Sequence, residues 1–184
     1  IERSHRIAAG NPGYIVNIQI CQRGNAGIFP AQQHGIVHEA ERKVPSGPCP
    51  GQRGQMAGIF RHQVLHPDCR LFRGFDDDFP APHSRHTEVR AEDVRRTPNL
   101  RILAESDEAG LTLVESLDHS QVFMTGHLEY DRGTLDAEYR RDLARGMNPH
   151  VPSHYYPNDD PSQLPRMNWR AHAHLFYNNW LNYY

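Results

Sequence analysis

Residues 121–131 read Gln121-Val122-Phe123-Met124-Thr125-Gly126-His127-Leu128-Glu129-Tyr130-Asp131. Gln121 to Met124 is strand-like, and a histidine and a glutamate follow it two residues apart. In an extended backbone residues i and i+2 point the same way, so one imidazole and one carboxylate can meet on one face. That pairing suits a base whose far ring nitrogen is held by an acid. The carboxylate fixes the tautomer and stabilises the imidazolium formed when the ring takes a proton. With 13 histidines and 22 acidic residues in the chain, the plain alternative is a chance pair of solvated groups. His127 and Glu129 also need a nucleophile from elsewhere.

The three cysteines, Cys21, Cys49 and Cys69, are odd in number and show no C-x-x-C spacing, which argues against a disulfide framework and a structural zinc site. Cys21 follows Tyr14-Ile15-Val16-Asn17-Ile18-Gln19-Ile20, a β-branched run that reads as a strand. After it, Gln22-Arg23-Gly24-Asn25-Ala26-Gly27-Ile28-Phe29 has small residues that let a helix start close against that strand. At a sharp strand-to-helix turn a thiol is exposed, and the helix N-terminus lowers its pKa from about 8.5. Backbone N–H groups of the same turn can hold an oxyanion. Cys21, His127 and Glu129 then compose a Cys-His-Glu triad; the bland reading of Cys21 is a small buried residue at a strand end. Cys69 lies between Asp68 and Arg70 without such a setting.

At 184 residues the chain has room for one ordinary domain rather than two. Its 14 prolines and 14 glycines predict a loop-rich fold. Lys plus Arg total 20 against 22 for Asp plus Glu, a formal net charge of -2. With no long basic run, electrostatics gives no case for nucleic acid or an anionic membrane. The apolar runs are far shorter than the roughly 18 to 20 residues that cross a bilayer, and no signal-peptide pattern opens the chain. A cytoplasmic protein is expected. Because the chain begins at Ile1 rather than Met and stops at Tyr184, a piece of a longer protein is expected too.

Coarser elements follow from periodicity and turn residues. Val37 to Gly54 reads as an irregular connection, and Ala57 to Phe60 and Gln63 to Leu65 as two short strands. Arg73 to Arg85 reads as a polar, proline-bounded loop. Leu100 to Ala104 and Leu111 to Val114 read as strands paired around Ser106 to Gly110. Leu135 to Arg145 reads as an amphipathic helix with Leu135, Tyr139 and Leu143 at four-residue spacing, and it carries Arg141. Asn148 to Pro165 is proline-rich loop, and Trp169 to Tyr184 a final helix with an aromatic face.

Longer motifs recur in order: Arg73-Gly74-Phe75-Asp76-Asp77, Ala81-Pro82-His83-Ser84-Arg85, Thr125 to Asp131, Tyr156-Pro157-Asn158-Asp159-Asp160-Pro161, Trp169-Arg170-Ala171-His172 and Asn179 to Tyr184. Through them the stretch from Met56 to Tyr184 resembles the homoserine O-acyltransferases, also called homoserine transsuccinylases, of the class I glutamine amidotransferase-like superfamily. Ile20 to Phe29 aligns without a gap to that family's nucleophile region. The resemblance implies an α/β, flavodoxin-like sandwich, truncated here at the N-terminus. Residues 1–184 are then a single partial acyltransferase domain in which 56–184 are family-like and 1–55 divergent. A sheet lacking the family's N-terminal strands exposes edges, so an unstable isolated chain is expected.

The implied reaction has two steps. Cys21 takes an acyl group from succinyl-CoA or acetyl-CoA, and the hydroxyl of L-homoserine then takes it from Cys21, in methionine biosynthesis. His127 is the implied general base and Glu129 its orienter, a role typically worth about 10²- to 10⁴-fold. Ser84 and Arg141 match substrate-binding positions, and a guanidinium suits the amino-acid carboxylate. The plain readings are a solvated helix arginine paired with a neighbouring acid and a turn hydroxyl bonding its own backbone. No cofactor beyond the acyl-CoA co-substrate and no metal is implied, and a homodimer is. Leu128 stands where the family has proline, which loosens φ; Gln22 and Arg23 stand for Trp-Gly, and Gln55 for a common substrate-binding lysine. The alternatives are a glutamine amidotransferase-type hydrolase, against which the downstream motifs argue, and an inactive remnant serving as a binding or structural module.

Overall fold

Met56 to Val64 alternates in burial along its second half, with Phe60 and His62 inside and Arg61 and Gln63 outside. Because His62 is buried like an apolar residue, the two short strands expected here are one nine-residue strand. The computed structural model describes residues 56–183, with the backbone of residues 7–8, 15–16, 19–22 and 46–48. Its strands are β1 (Ile7–Ala8), β2 (Ile15–Val16), β3 (Gln19–Gln22), β4 (Ser46–Pro48), β5 (Met56–Val64), β6 (Asp78–Arg85), β7 (Thr87–Val89), β8 (Leu100–Ser106), β9 (Gly110–Ser116) and β10 (Gln121–Met124). Its helices are α1 (Ala91–Arg96), α2 (Thr134–Ala144) and α3 (Arg170–Tyr183). The largest sheet runs β3-β10-β9-β8-β5-β6, with antiparallel pairing throughout.

The segment Arg73 to Arg85, expected as a loop, is strand from Asp78 onward despite Pro80 and Pro82. The register explains how the prolines fit. Pro82 lies opposite Ile59, whose N–H donates to the Ser153 carbonyl at 2.9 Å and so points away from β6. Pro80 and Pro82 therefore occupy positions whose backbone faces the outer side, where a missing N–H breaks no ladder bond.

β8 and β9 are buried on both faces. Leu103 and Leu113 join Leu71, Phe79, Val122 and Met124 against α3, whereas Ile102 and Val114 join Val94 of α1 and Val89. On α3, Ala173, Phe176 and Asn179 form the buried face, and the Asn179 amide donates to the Leu71 and Arg73 carbonyls at 2.9 and 2.8 Å. The buried residues of α2 are Leu135 and Asp142, while Leu143 is 43% exposed. The expected Leu135–Tyr139–Leu143 stripe is thus replaced by a face that turns polar after its first turn.

The long loop after α2 is tied to β5. Ser153 donates to the Ala57 carbonyl at 3.0 Å and accepts from Ile59, forming a parallel bridge beside Gly58. A Cβ at Gly58, where φ is +154°, would meet the Ser153 oxygen at 2.4 Å. Only glycine permits that approach, and the approach seats Tyr155, Tyr156 and Trp169 against Ile59 and Leu135. No helix among the described residues is long and apolar enough to cross a membrane. Gly58→Ala is expected to lower stability by about 2 kcal/mol, read by urea unfolding. A change below about 0.5 kcal/mol, the range of an ordinary surface substitution, would mean that Ser153 is not docked on β5.

Candidate active site

β10 ends at Met124, and the chain after it is pinned at successive residues. Thr125 donates its N–H to Thr112 at 2.9 Å and its hydroxyl to Leu111 at 2.8 Å. The His127 N–H donates to the Pro82 carbonyl at 2.8 Å, and Tyr130 N–H closes a turn onto the His127 carbonyl at 3.1 Å. His127 and Glu129 therefore meet across a tight turn, not along an extended strand. Leu128 is 3% exposed and joins the cluster of Leu113, Val122 and Phe176. In place of a ring that fixes φ, the leucine anchors the turn by burying its side chain.

His127 Nδ1 donates to Glu129 Oε1 at 2.8 Å. In the neutral ring that bond places the hydrogen on Nδ1 and the lone pair on Nε2, which is buried and has no hydrogen-bond partner among the described residues, as a general base requires. The ring stacks on Tyr130 at 4.3 Å and 15°. Tyr130 donates its hydroxyl to Glu138 Oε1 at 2.9 Å; burial and the Glu138 carboxylate hold the phenol well above its ordinary range, so it stays protonated. Glu129 Oε2 and Glu138 Oε2 are also buried without a partner among the described residues.

Glu138 precedes Arg141 by three residues on α2. Arg141, nearly half exposed, donates Nε and Nη2 to the buried Asp142 carboxylate at 2.8 and 3.1 Å. This hydrogen-bonded pair raises the guanidinium pKa and holds the Asp142 carboxyl below its usual range. Glu138 was missed in the sequence, although its i,i+3 spacing from Arg141 is the signal that finds it.

Beneath the turn lies a buried polar row. Arg85 Nε donates to His83 Nδ1 at 3.3 Å, and His83 Nε2 is 3.0 Å from His62 Nε2 and 3.4 Å from the Thr112 hydroxyl. The two rings stack at 4.9 Å, and both are fully buried. Burial lowers the His62 pKa to about 4. Burial, with His62, Arg85 and His127 beside it, also drives His83 well below the ordinary value. A Cβ on Gly126 would meet Thr112 Oγ1 at 2.8 Å and His83 Nε2 at 3.2 Å, so the turn rests directly on this row.

Ser84 is half-buried in β6, opposite Ala57, and alternates with His83 and Arg85. Cys21 lies inside β3, paired with Val122, with Gln19 opposite Met124. Gln22, expected to begin a turn, continues that strand; the Cys21 side chain, residues 23–29 and Gln55 lie outside the described residues. The structure thus joins His127 to Glu129 and sets the strand bearing Cys21 beside the strand that leads into them. No group of three His, Cys, Asp or Glu residues among those described could hold a metal ion.

A family model described as homoserine O-succinyltransferase matches residues 50–184. A protein of Desulfovibrio desulfuricans named homoserine O-acetyltransferase is 74% identical over 130 residues, covering 71% of this chain and 41% of that protein. One of the same name from Geobacillus kaustophilus is 47% identical over 167 residues, covering 91% of this chain and 51% of that protein. The chain spans about half the length, or less, of these curated relatives. Among solved structures, SMU.1228c is similar with a TM-score of 0.54 at 12% identity, covering 79% of this chain and 58% of that one. A glutamine amidotransferase from Thermotoga maritima gives a TM-score of 0.50 at 13% identity, covering 74% and 54%. At such identities the likeness concerns the fold, and that fold is the α/β, glutamine amidotransferase-like class expected from the sequence.

The low pKa of His62 has a definite sign for stability. Folded, the ring is neutral down to about pH 4; unfolded, it protonates below about 6.5. Its stabilising contribution is complete above the unfolded value and is lost as pH falls through the folded one. Unfolding between pH 6.5 and 4 is expected to take up protons, and stability to fall by about 3 kcal/mol from this ring alone. Urea unfolding at pH 7 and 4.5 reads the change, and a flat profile would refute the buried neutral ring.

Proposed function

The chain belongs to the homoserine O-succinyltransferase family, and from that membership we propose that it transfers an acyl group from acyl-CoA to the side-chain hydroxyl of L-homoserine. The observation that carries the reading is the His127–Glu129 pair, in which Nδ1 meets the carboxylate and Nε2 is buried and unpaired among the described residues. In the first step the Cys21 thiol gives its proton to His127 Nε2 and attacks the thioester carbonyl. The carbon–sulfur bond to CoA breaks, and His127 returns the proton to the leaving CoA thiolate. In the second step His127 takes the homoserine hydroxyl proton while the oxygen attacks the acyl-enzyme, and the departing Cys21 sulfur recovers that proton. Glu129 holds the ring throughout and stabilises the transient imidazolium.

Arg141 binds the homoserine carboxylate, and Ser84 contributes a further substrate contact. The unpaired Glu138 oxygen supports α2 as the amino-acid side of the site, since a carboxylate three residues from a guanidinium complements a zwitterion. The relatives' names favour acetyl-CoA as donor, and the family's name succinyl-CoA. The product, an O-acyl-homoserine, belongs to methionine formation in the cytoplasm. The match over residues 50–184 favours transfer over glutamine hydrolysis, because the amidotransferase likeness extends to the fold alone.

Mass spectrometry of the protein incubated with acetyl-CoA or succinyl-CoA is expected to show one acyl adduct, absent in Cys21→Ala. The adduct disappears on addition of L-homoserine. His127→Asn is expected to slow its formation about 10²- to 10⁴-fold. A folded protein that acquires no adduct from either donor would overturn the reading and leave the inactive remnant in its place.

A further inference from the structure

We propose that Arg85, His83 and His62 are positioning residues for His127: a hydrogen-bonded row of fixed polarity that carries the Gly126–His127 turn and itself accepts no proton. The polarity follows from one group that cannot change. Arginine keeps its protons at any relevant pH and has no acceptor, so the Arg85 Nε–H bond at 3.3 Å makes His83 Nδ1 an acceptor. A neutral His83 must then carry its hydrogen on Nε2. That hydrogen points to His62 Nε2 at 3.0 Å, with the Thr112 hydroxyl at 3.4 Å as the second neighbour. His62 Nε2 accepts, which leaves the His62 hydrogen on Nδ1, a buried atom with no hydrogen-bond partner among the described residues.

Adding a proton anywhere in this row removes an acceptor. A second hydrogen on His83 would sit on Nδ1, facing the Arg85 N–H. A second hydrogen on His62 would sit on Nε2, facing the His83 N–H across 3.0 Å. Either change sets two donors against each other in a buried site, and the charged groups among the described residues that act on His83 are basic: His62 from β5, Arg85 from its own strand, and His127 from the turn after β10. Arg85 is further held by the Ala109 carbonyl and by Met56 Sδ at 3.3 Å, so it cannot swing away to make room.

The row matters to the site because of what rests on it. His83 Nε2 lies 3.2 Å from where a Gly126 Cβ would stand, and the carbonyl of the preceding residue, Pro82, accepts the His127 N–H. Of His62, His83 and His127, His127 alone combines a carboxylate on one ring nitrogen with a buried second nitrogen that has no partner among the described residues. A protonated His83 would both repel a cationic His127 and release the turn from its seat.

The consequence for catalysis rests on the acyl-transfer reading, whereas the protonation pattern does not, and the experiment separates them. In protein labelled with 15N at histidine, the His83 ring is expected to show a protonated Nε2 and a bare Nδ1, and His62 the opposite tautomer. Both are expected to hold that pattern from pH 8 to pH 5. A hydrogen on His83 Nδ1, or a His83 ring that gains a second proton in this range, would overturn the proposal whether or not the protein transfers acyl groups. In Arg85→Met, which loses the fixed donor and the cation, His83 is expected to titrate. The acid side of the rate–pH profile for acylation of Cys21 is then expected to split into two coupled steps. A folded Arg85→Met protein with an unchanged histidine titration would also overturn it, and Arg85→Lys, which keeps charge without the planar fork, separates charge from hydrogen-bond geometry.

Discussion

The hydrogen bond from the His127 backbone N–H to the Pro82 carbonyl is the constraint from which the geometry of the site follows. A residue in a strand directs its N–H and its carbonyl to the same side. Residue 82 faces the outer side of β6, and as a proline it offers an acceptor there without a donor. That edge cannot extend the ladder at this position, but it can receive one outside N–H. The turn after β10 supplies it. Thr125 ties the same turn to β9 and Leu128 is sunk in the core, so backbone, edge and core fix three consecutive parts of a short segment. The His127 ring is then left with few orientations, and Glu129 selects among them.

Holding the turn this closely requires a surface for Gly126 to rest on. That surface is polar, which is costly in a core unless every group has a partner. Arg85, His83, His62 and Thr112 satisfy most of one another, and the neutral imidazoles avoid the larger cost of buried charge. Arg85 is the exception, a cation 7% exposed. Its planar fork bridges His83 and the Ala109 carbonyl, a combination that a lysine ammonium cannot reproduce with the same geometry. The row therefore has a direction set at its charged end.

Elements with a regular hydrophobic period were legible in the sequence: β8, β9, β10 and α3 lie close to their expected positions. What was not legible came from residues whose environment contradicts their polarity. His62 and His83 read as polar yet are fully buried, which split β5 in two and made half of β6 look like loop. The prolines of β6 reinforced that misreading, because sequence alone does not reveal which edge of a strand faces outward. The buried face of α2 carries Asp142 rather than Leu143, so a hydrophobic stripe was sought on the wrong side. His127 and Glu129 were found as a pair, though a turn, and not strand alternation, brings them together.

The exposed leucine and buried aspartate of α2 also bear on how Arg141 can act. Asp142 is 5% exposed, and its two oxygens accept from Arg141 Nε and Nη2. Were Arg141 to abandon it for a substrate carboxylate, a buried anion would lose its bound cation, a change typically costing several kcal/mol. A guanidinium has five N–H groups, and Asp142 occupies one side of the fork. The end formed by the two Nη groups retains hydrogens for a second carboxylate. On the proposed reading, homoserine meets an Arg141 already locked in place by Asp142, with less side-chain freedom left to lose on binding. The pairing that looks like a plain surface salt bridge is then compatible with a binding role, because the two carboxylates approach different sides of one rigid cation.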